Sequence, residues 1–137
     1  MDTVIFACVH NAGRSQMAAG FFNQLADPSR AHAASAGTQP GGRVRPIVVD
    51  AMREVGVDLA SNRPQRLTED LVRNATLLVT MGCGDECPYV PELEREDWPL
   101  RDPEDLPLAE VRQIRDELRE RVAALIRSRN WSRTPPP

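Results

Sequence analysis

The segment Cys8-Val9-His10-Asn11-Ala12-Gly13-Arg14-Ser15 puts a thiol, a guanidinium and a hydroxyl within one short stretch. It follows the apolar run Thr3-Val4-Ile5-Phe6-Ala7 and leads into a periodic stretch from Ser15 to Ala26, so it reads as a loop between a strand and a helix. Such a loop turns several backbone N–H groups toward one point, and the helix dipole adds positive potential there. A tetrahedral oxyanion is the natural guest, held by the N–H groups of the stretch from Val9 to Ser15. Asn11 and Gly13 are residue types that take up left-handed backbone angles, which a tight cradle needs. Arg14 supplies a planar, permanently charged fork for oxyanion oxygens. The same field favours the thiolate of Cys8, and the Ser15 hydroxyl can donate to the sulfur. Nucleophile and anion site thus share one place, as in-line attack on a phosphorus or arsenic centre requires. A lone cysteine at a strand end would more simply be a core residue; the Arg-Ser pair following after five residues favours chemistry. The His10 side chain has no such pattern around it and reads as a loop residue without a chemical role.

The elements that must position this loop are legible from periodicity and breakers. Met17, Phe21 and Leu25 repeat at helical spacing, with Ala18 and Phe22 beside them, until Asp27-Pro28. Residues 31–36 form a weak, alanine-rich strand closed by Gly37. Pro46 opens a helix with Val48, Met52 and Val55 on its apolar face, and Gly56 stops it. Thr68 is an N-cap for a short helix through Asn74, and Leu77-Leu78-Val79-Thr80-Met81 is a second clear strand. From 82 to about 107 there is no helical period and Pro88, Pro91, Pro99, Pro103 and Pro107 intervene, with a short strand expected around Glu96-Asp97-Trp98. A stretch of that length is usually functional. A long helix follows, with Leu108, Val111, Ile114, Leu118, Val122 and Leu125 on one face. Strands alternating with helices predict an α/β domain, a parallel sheet with helices on both faces. We expect one domain over 1–129 and a frayed, Pro-rich tail over 130–137. Trp98 and Trp131 read as packing residues.

A chain of 137 residues with 41% hydrophobic residues is long enough for one core. A net charge of −3 argues against a broad basic surface for nucleic acid. No stretch is apolar enough to span a membrane, and Met1 to Val9 lacks the basic leader of a secretory signal, so the expected location is the cytoplasm. There, three cysteines, Cys8, Cys83 and Cys87, point to catalysis, redox cycling or metal binding rather than a static disulfide.

Cys8-x5-Arg14-Ser15 resembles the signature of the low-molecular-weight protein tyrosine phosphatases and of the arsenate reductases that share their fold, and the resemblance runs over nearly the whole chain. It implies a four-stranded parallel sheet flanked by helices, with Cys8 as nucleophile, Arg14 as oxyanion clamp, Ser15 as thiolate stabiliser and Asn11 as a loop-stiffening residue. It also implies a general acid in a late Asp-Pro pair, here Asp102-Pro103. Phosphatases of this type usually carry Pro after the Arg-Ser pair and tyrosines after Asp-Pro; this chain has Gln16, and then Glu104 and Asp105, a negative rim that would repel phosphotyrosine peptides. Met81-Gly82-Cys83-Gly84-Asp85-Glu86-Cys87-Pro88 is similar to the redox segment of thioredoxin-coupled arsenate reductases. Reduction of As(V) takes two electrons, which a thiol pair supplies by forming a disulfide. The resemblance therefore implies that Cys83 attacks Cys8 and Cys87 resolves the product, with arsenate as substrate, phosphate or sulfate as analogues and thioredoxin as the external reductant. No bound cofactor or metal is expected; the family's potassium site uses an acidic residue where this chain has Ala19. A monomer is expected.

Other readings stand beside this one. Related enzymes pass arsenate to a small thiol such as mycothiol, and glutathione with glutaredoxin is a further possible reductant. A low-molecular-weight tyrosine phosphatase would use the same loop. A non-enzymatic module could offer Cys8, Cys83 and Cys87 to zinc or arsenite, but structural zinc wants four ligands and His10 and His32 are poorly placed for the fourth. A sensor that binds arsenite without turnover would not account for Arg14 and the anion loop.

Overall fold

The computed structural model describes residues 1–82 and 91–133. Among the described residues, eight elements follow one another: β1 (Asp2–Cys8), α1 (Arg14–Leu25), β2 (Ala31–Gly37), α2 (Pro46–Arg53), α3 (Glu69–Arg73), β3 (Leu77–Thr80), β4 (Glu94–Asp97) and α4 (Leu108–Ser128). The strands form one four-stranded sheet in the order β2-β1-β3-β4, every pair parallel. β1 is central, pairing Cys8 with Gly37 of β2 on one side and Ala7 with Thr80 of β3 on the other. The chain leaves β1 toward β2 and later returns to β3, so the connections diverge at the carboxyl end of β1. In open parallel sheets that crevice is where ligands bind.

Strand alternation splits the core between the two faces of the sheet. Val4, Phe6 and Cys8 of β1 join Met17, Phe21 and Phe22 of α1, Val48 and Met52 of α2, and Val111, Leu118 and Val122 of α4. Ile5 and Ala7 face the other way, against Ala36, Leu67, Leu78 and Val72 of α3. Each fully buried large aliphatic or aromatic side chain contributes about 1.5–3 kcal/mol, so the larger cluster dominates and anchors α1 behind the sheet.

Local signals account for most element ends. Pro46 occupies the first turn of α2, and Gly56 follows it at φ 84°. Thr68 caps α3 by accepting from Leu71 N at 3.1 Å. α4 buries Val111, Ile114, Leu118, Val122 and Leu125 of the expected stripe, together with Arg115 and Ile126, while Leu108 at its start is only partly buried. Arg115 is satisfied by Ala51 O at 2.9 Å and by Glu54 at 2.7 Å. The strand expected around Glu96-Asp97-Trp98 is β4, which runs Glu94–Asp97; Trp98 leaves it as a buried residue whose N–H still reaches Thr80 O at 2.8 Å. β4 is charged throughout, which suits a sheet edge that must not recruit another strand.

One expectation is corrected. The residues just after Asn130, read from sequence as the start of a frayed tail, are packed. Trp131 is buried, stacks edge-on to Phe22 with ring centroids 5.6 Å apart, and donates its indole N–H to Asp2 Oδ2 at 2.9 Å. Its carbonyl accepts from Asp27 N at 2.8 Å, and Ser132 bridges Ala26. A run of prolines at the end of a chain says nothing about an aromatic residue before it, and a large aromatic surface finds a place in the core.

Candidate active site

The Cys8–Ser15 loop sits at the carboxyl end of β1 and is wired outward through its carbonyls. Cys8 O accepts from Thr38 N at 3.3 Å, Val9 O from Gln39 N at 2.8 Å, and His10 O from Gly41 N at 2.9 Å. Ala12 O accepts from Arg45 N at 3.0 Å, and Gly13 O from Met17 N in the first turn of α1 at 3.0 Å. Asn11 O takes the Gln16 side-chain amide at 3.2 Å. With the carbonyls committed to the surrounding protein, the N–H groups from His10 to Ser15 are the donors the loop can offer an anion; among the described residues they have no protein acceptor. A helix N-terminus lies directly behind them.

Backbone angles explain only part of the composition. Asn11 is left-handed at φ 51°, as expected, but Gly13 is not: it stands at φ −147°. Gly13 is needed for space, because a Cβ there would lie 2.9 Å from Pro103 Cγ. Gly37, at the end of β2, has the same kind of role, since a Cβ would meet Val9 O at 2.6 Å and Asn11 N at 2.9 Å. Sequence reading treated Gly37 only as the end of a strand. The close approach of β2 to the loop has no local sequence signal.

Cys8 is 2% exposed and lies 2.9 Å from Ser15 Oγ. Asn11 Nδ2 donates to that same oxygen at 2.7 Å, and Asn11 Oδ1 accepts from Gln65 N at 3.0 Å and Gln16 Nε2 at 3.1 Å. Asn11, Ser15 and Gln16 are all buried. The sequence marked Gln16 only as a departure from the phosphatase pattern, and Gln65 not at all. Their types are common, and only the fold brings Gln65, distant in sequence, onto Asn11.

Arg14 is buried behind the loop mouth. Its Nη1 donates to Leu100 O at 3.0 Å, and its Nη2 lies 3.6 Å from Asp102 Oδ2. Gly82, at φ 86°, closes over the guanidinium; a Cβ there would stand 2.8 Å from Nη1. Asp102 Oδ1 accepts from Glu104 N at 3.0 Å, which turns the loop so that its other oxygen faces Arg14. Asp102 is partly exposed, with 37% of its side chain open to solvent. Glu104 pairs with Arg45 at 3.4 Å, so part of the negative rim read from Glu104 and Asp105 is offset by a neighbouring cation. The His10 ring meets Gln39 O at 3.0 Å. The structure thus brings Cys8, Asn11, Arg14, Ser15 and Asp102 to one end of the sheet. Cys83 and Cys87 lie outside the described residues, although Cys83 follows Gly82 directly in the chain. No cluster of three His, Cys, Asp or Glu side chains fit to hold a metal occurs among the described residues, and no helix among them is long and apolar enough to cross a membrane.

Taken together, the arrangement is a buried thiol with a hydroxyl on its sulfur, a ring of backbone donors, a fixed guanidinium and a carboxylate at the rim. It can hold a tetrahedral oxyanion, present a nucleophile to its centre and protonate a leaving oxygen. Comparison with known proteins points the same way. The family model described as low molecular weight phosphotyrosine protein phosphatase matches residues 3–133. An arsenate reductase of Staphylococcus aureus (strain Newman) is 36% identical over 122 residues, covering 85% of this chain and 90% of that protein. A putative arsenate reductase of Halobacterium salinarum is 33% identical over 124 residues, covering 88% and 87%. Among solved structures, a thioredoxin-dependent arsenate reductase of Corynebacterium glutamicum superposes with a TM-score of 0.82 at 37% identity. That match covers 93% of this chain but 61% of the Corynebacterium chain, so this chain spans less than two thirds of that protein. An arsenate reductase of Archaeoglobus fulgidus superposes with a TM-score of 0.78 at 30% identity, covering 90% of this chain and 98% of that one.

Proposed function

The chain belongs to the low molecular weight phosphotyrosine protein phosphatase family, and from that premise we propose that it is an arsenate reductase that moves electrons through three cysteines. The observation that carries this reading is the joining of a buried Cys8 in an oxyanion loop to a strand, β3, whose continuation past Gly82 holds Cys83 and Cys87. Hydrolysis of a phosphate ester uses the loop alone; a two-electron reduction uses the extra thiols as well. The relatives named arsenate reductases support the same branch.

In this reading the loop N–H groups and Arg14 bind arsenate, and the Cys8 thiolate attacks arsenic. An As–S bond forms and an As–O bond breaks, the departing oxygen taking its proton from Asp102. Cys83, deprotonated, attacks Cys8 Sγ. The Cys8–Cys83 bond forms, the As–S bond breaks, and its electron pair stays on arsenic, which leaves as arsenite, As(III). Cys87 then displaces Cys8 from Cys83, and the resulting Cys83–Cys87 disulfide is reduced by an external dithiol. A thioredoxin is our choice, in keeping with the Corynebacterium relative. We place the reaction in a reducing cytoplasm, where Cys8 stays a thiol, and assign the enzyme as a monomer.

The test is arsenate-dependent consumption of reductant by purified protein with a thioredoxin system, run beside a glutaredoxin system, a mycothiol system and a phosphate-ester assay. Cys8→Ser should abolish both activities. Cys83→Ser should abolish arsenate reduction and leave slow phosphate-ester hydrolysis intact. Unchanged thioredoxin-dependent turnover in Cys87→Ser would sink the three-cysteine relay and favour a small thiol.

A further inference from the structure

An open cavity of about 470 Å³ is lined by Gln16, Ser35, Asn62, Arg63 and Gln65 among others. Gln16, 3% exposed, stands between that cavity and Asn11. Its Nε2 donates both to Asn11 O at 3.2 Å and to Asn11 Oδ1 at 3.1 Å, and its Oε1 accepts from Asn62 Nδ2 at 3.3 Å.

We infer that Gln16 is a positioning residue that fixes the direction of hydrogen bonding behind Cys8, so that Ser15 gives its proton to the sulfur. The direction follows from two backbone groups that cannot change role. Asn11 O is an acceptor, so the Gln16 atom facing it is the amide nitrogen. Gln65 N is a donor, so the Asn11 atom facing it is Oδ1. Asn11 Nδ2 is left for Ser15 Oγ, where it donates at 2.7 Å. A hydroxyl has one hydrogen; with its oxygen already accepting from Asn11, that hydrogen is free for Cys8 Sγ, 2.9 Å away. A sulfur that receives a hydrogen bond is favoured as thiolate. Gln16 also holds the carbonyl of the left-handed residue Asn11, which has no local turn partner of its own. Among the described residues, the charged groups around this network are Arg14, with Asp102 beyond it, on the Cys8 side, and Arg63 in the cavity.

This inference rests on Cys8 being the nucleophile but not on what it attacks, and its test uses no arsenate. The rate of Cys8 alkylation by iodoacetamide, followed by mass spectrometry of the Cys8 peptide, reports thiolate at each pH. In Gln16→Glu the side chain has no hydrogen to give, and Arg63 favours its ionised form. The alkylation rate should then fall about tenfold at pH 6 and converge on that of the wild type at pH 9. Gln16→Met should show the same pattern, less deeply, because Gln65 still holds Asn11 Oδ1. Asn62 is exposed, so Asn62→Asp tests the same link without threatening the fold; it should slow alkylation at pH 6 about twofold. A folded Gln16→Glu protein with the wild-type alkylation profile would overturn the inference. Should that variant fail to fold, a wild-type profile in Asn62→Asp would do so. Slower alkylation of Gln16→Glu at pH 6, beside a wild-type protein that shows no arsenate turnover, would uphold this inference while removing the proposed function.

Discussion

From Cys8 to Gly13 each carbonyl has its own donor, and the donors come from α1 and from the segments after β2. From Leu100 to Asp105 the chain is held by a different set of forces: Leu100 O on Arg14, the Asp102–Arg14 and Arg45–Glu104 ion pairs, and Pro103 wedged against Gly13. The first region is buried and its bonds are short-range and directional, so its geometry is over-determined. The second is half-exposed, and its ion pairs are of the kind that contribute only about 0–1 kcal/mol each. In the mechanism we propose, binding chemistry sits on the rigid region and proton chemistry on the yielding one. A cradle must be complete before the substrate arrives, whereas an acid can be brought to its place by the substrate itself.

That contrast can be broken from either side. The largest effect is expected from Asp102→Asn, which in the proposed mechanism removes the proton donor and turns the Asp102–Arg14 ion pair into a neutral contact. Arsenate turnover should drop about 10²-fold, with phosphate affinity measured by calorimetry undiminished and the melting temperature little altered. Loss of phosphate binding in this variant would show that the yielding loop belongs to the cradle after all.

Gly82→Ala places a Cβ against Arg14 Nη1 at a backbone angle, φ 86°, that alanine resists. Arg14 is pinned by Leu100 O, so the guanidinium must leave its position. We expect roughly a tenfold loss in kcat/KM, since a small misplacement of a clamp is costly, together with about 1 kcal/mol of lost stability. Both are readable from steady-state kinetics and urea unfolding. An unchanged kcat/KM would mean that Arg14 has more freedom than its two contacts suggest.

A smaller effect is expected from Arg45→Gln, which cuts the tie to Glu104 but keeps the backbone N–H on Ala12 O. Turnover should fall by no more than about threefold at low salt, and the difference should vanish near 0.5 M salt as screening takes over. A deficit that persists in high salt would mean that the arginine is packed into the cradle rather than tethering the rim.

The smallest effect concerns an ion-paired trio that serves neither region. Glu54, at the end of α2, accepts from Arg112 at 2.6 Å and from Arg115 at 2.7 Å on α4. The hydrogen bonds from Arg112, then from Arg115, hold its carboxyl down to about 2 from 4.5. A carboxylate lowered on folding stabilises the native state above its unfolded value and loses that contribution as the pH falls through the folded one. The stability advantage of the wild type over Glu54→Gln, from urea midpoints, should therefore be constant above about pH 5 and shrink between about 4.5 and 2. An advantage independent of pH would assign Glu54 a packing role only.

How much of this was legible in the sequence depends on the range of the forces. The strands, the helices and the stripe on α4 were readable because periodicity and capping act over a few residues. So was the placing of a thiol, an arginine and a serine between a strand and a helix, because the loop and its helix terminus are contiguous. The parallel sheet followed from alternation, but its order, with β1 at the centre, came from the fold. Tertiary structure alone decided why Gly13 is glycine, since Pro103 is the obstacle, and why Gly37 is, since the loop passes over it. It also decided that Gln65 reaches Asn11 and that Trp131, read from sequence as a packing residue, packs against Phe22 in particular. Each of those facts is a contact between residues far apart in the chain, and no local pattern encodes a contact whose partner is chosen by packing. The sequence by itself therefore determined which atoms could react; how they are held, and in which direction the hydrogen bonds behind them run, was decided when the sheet closed around them.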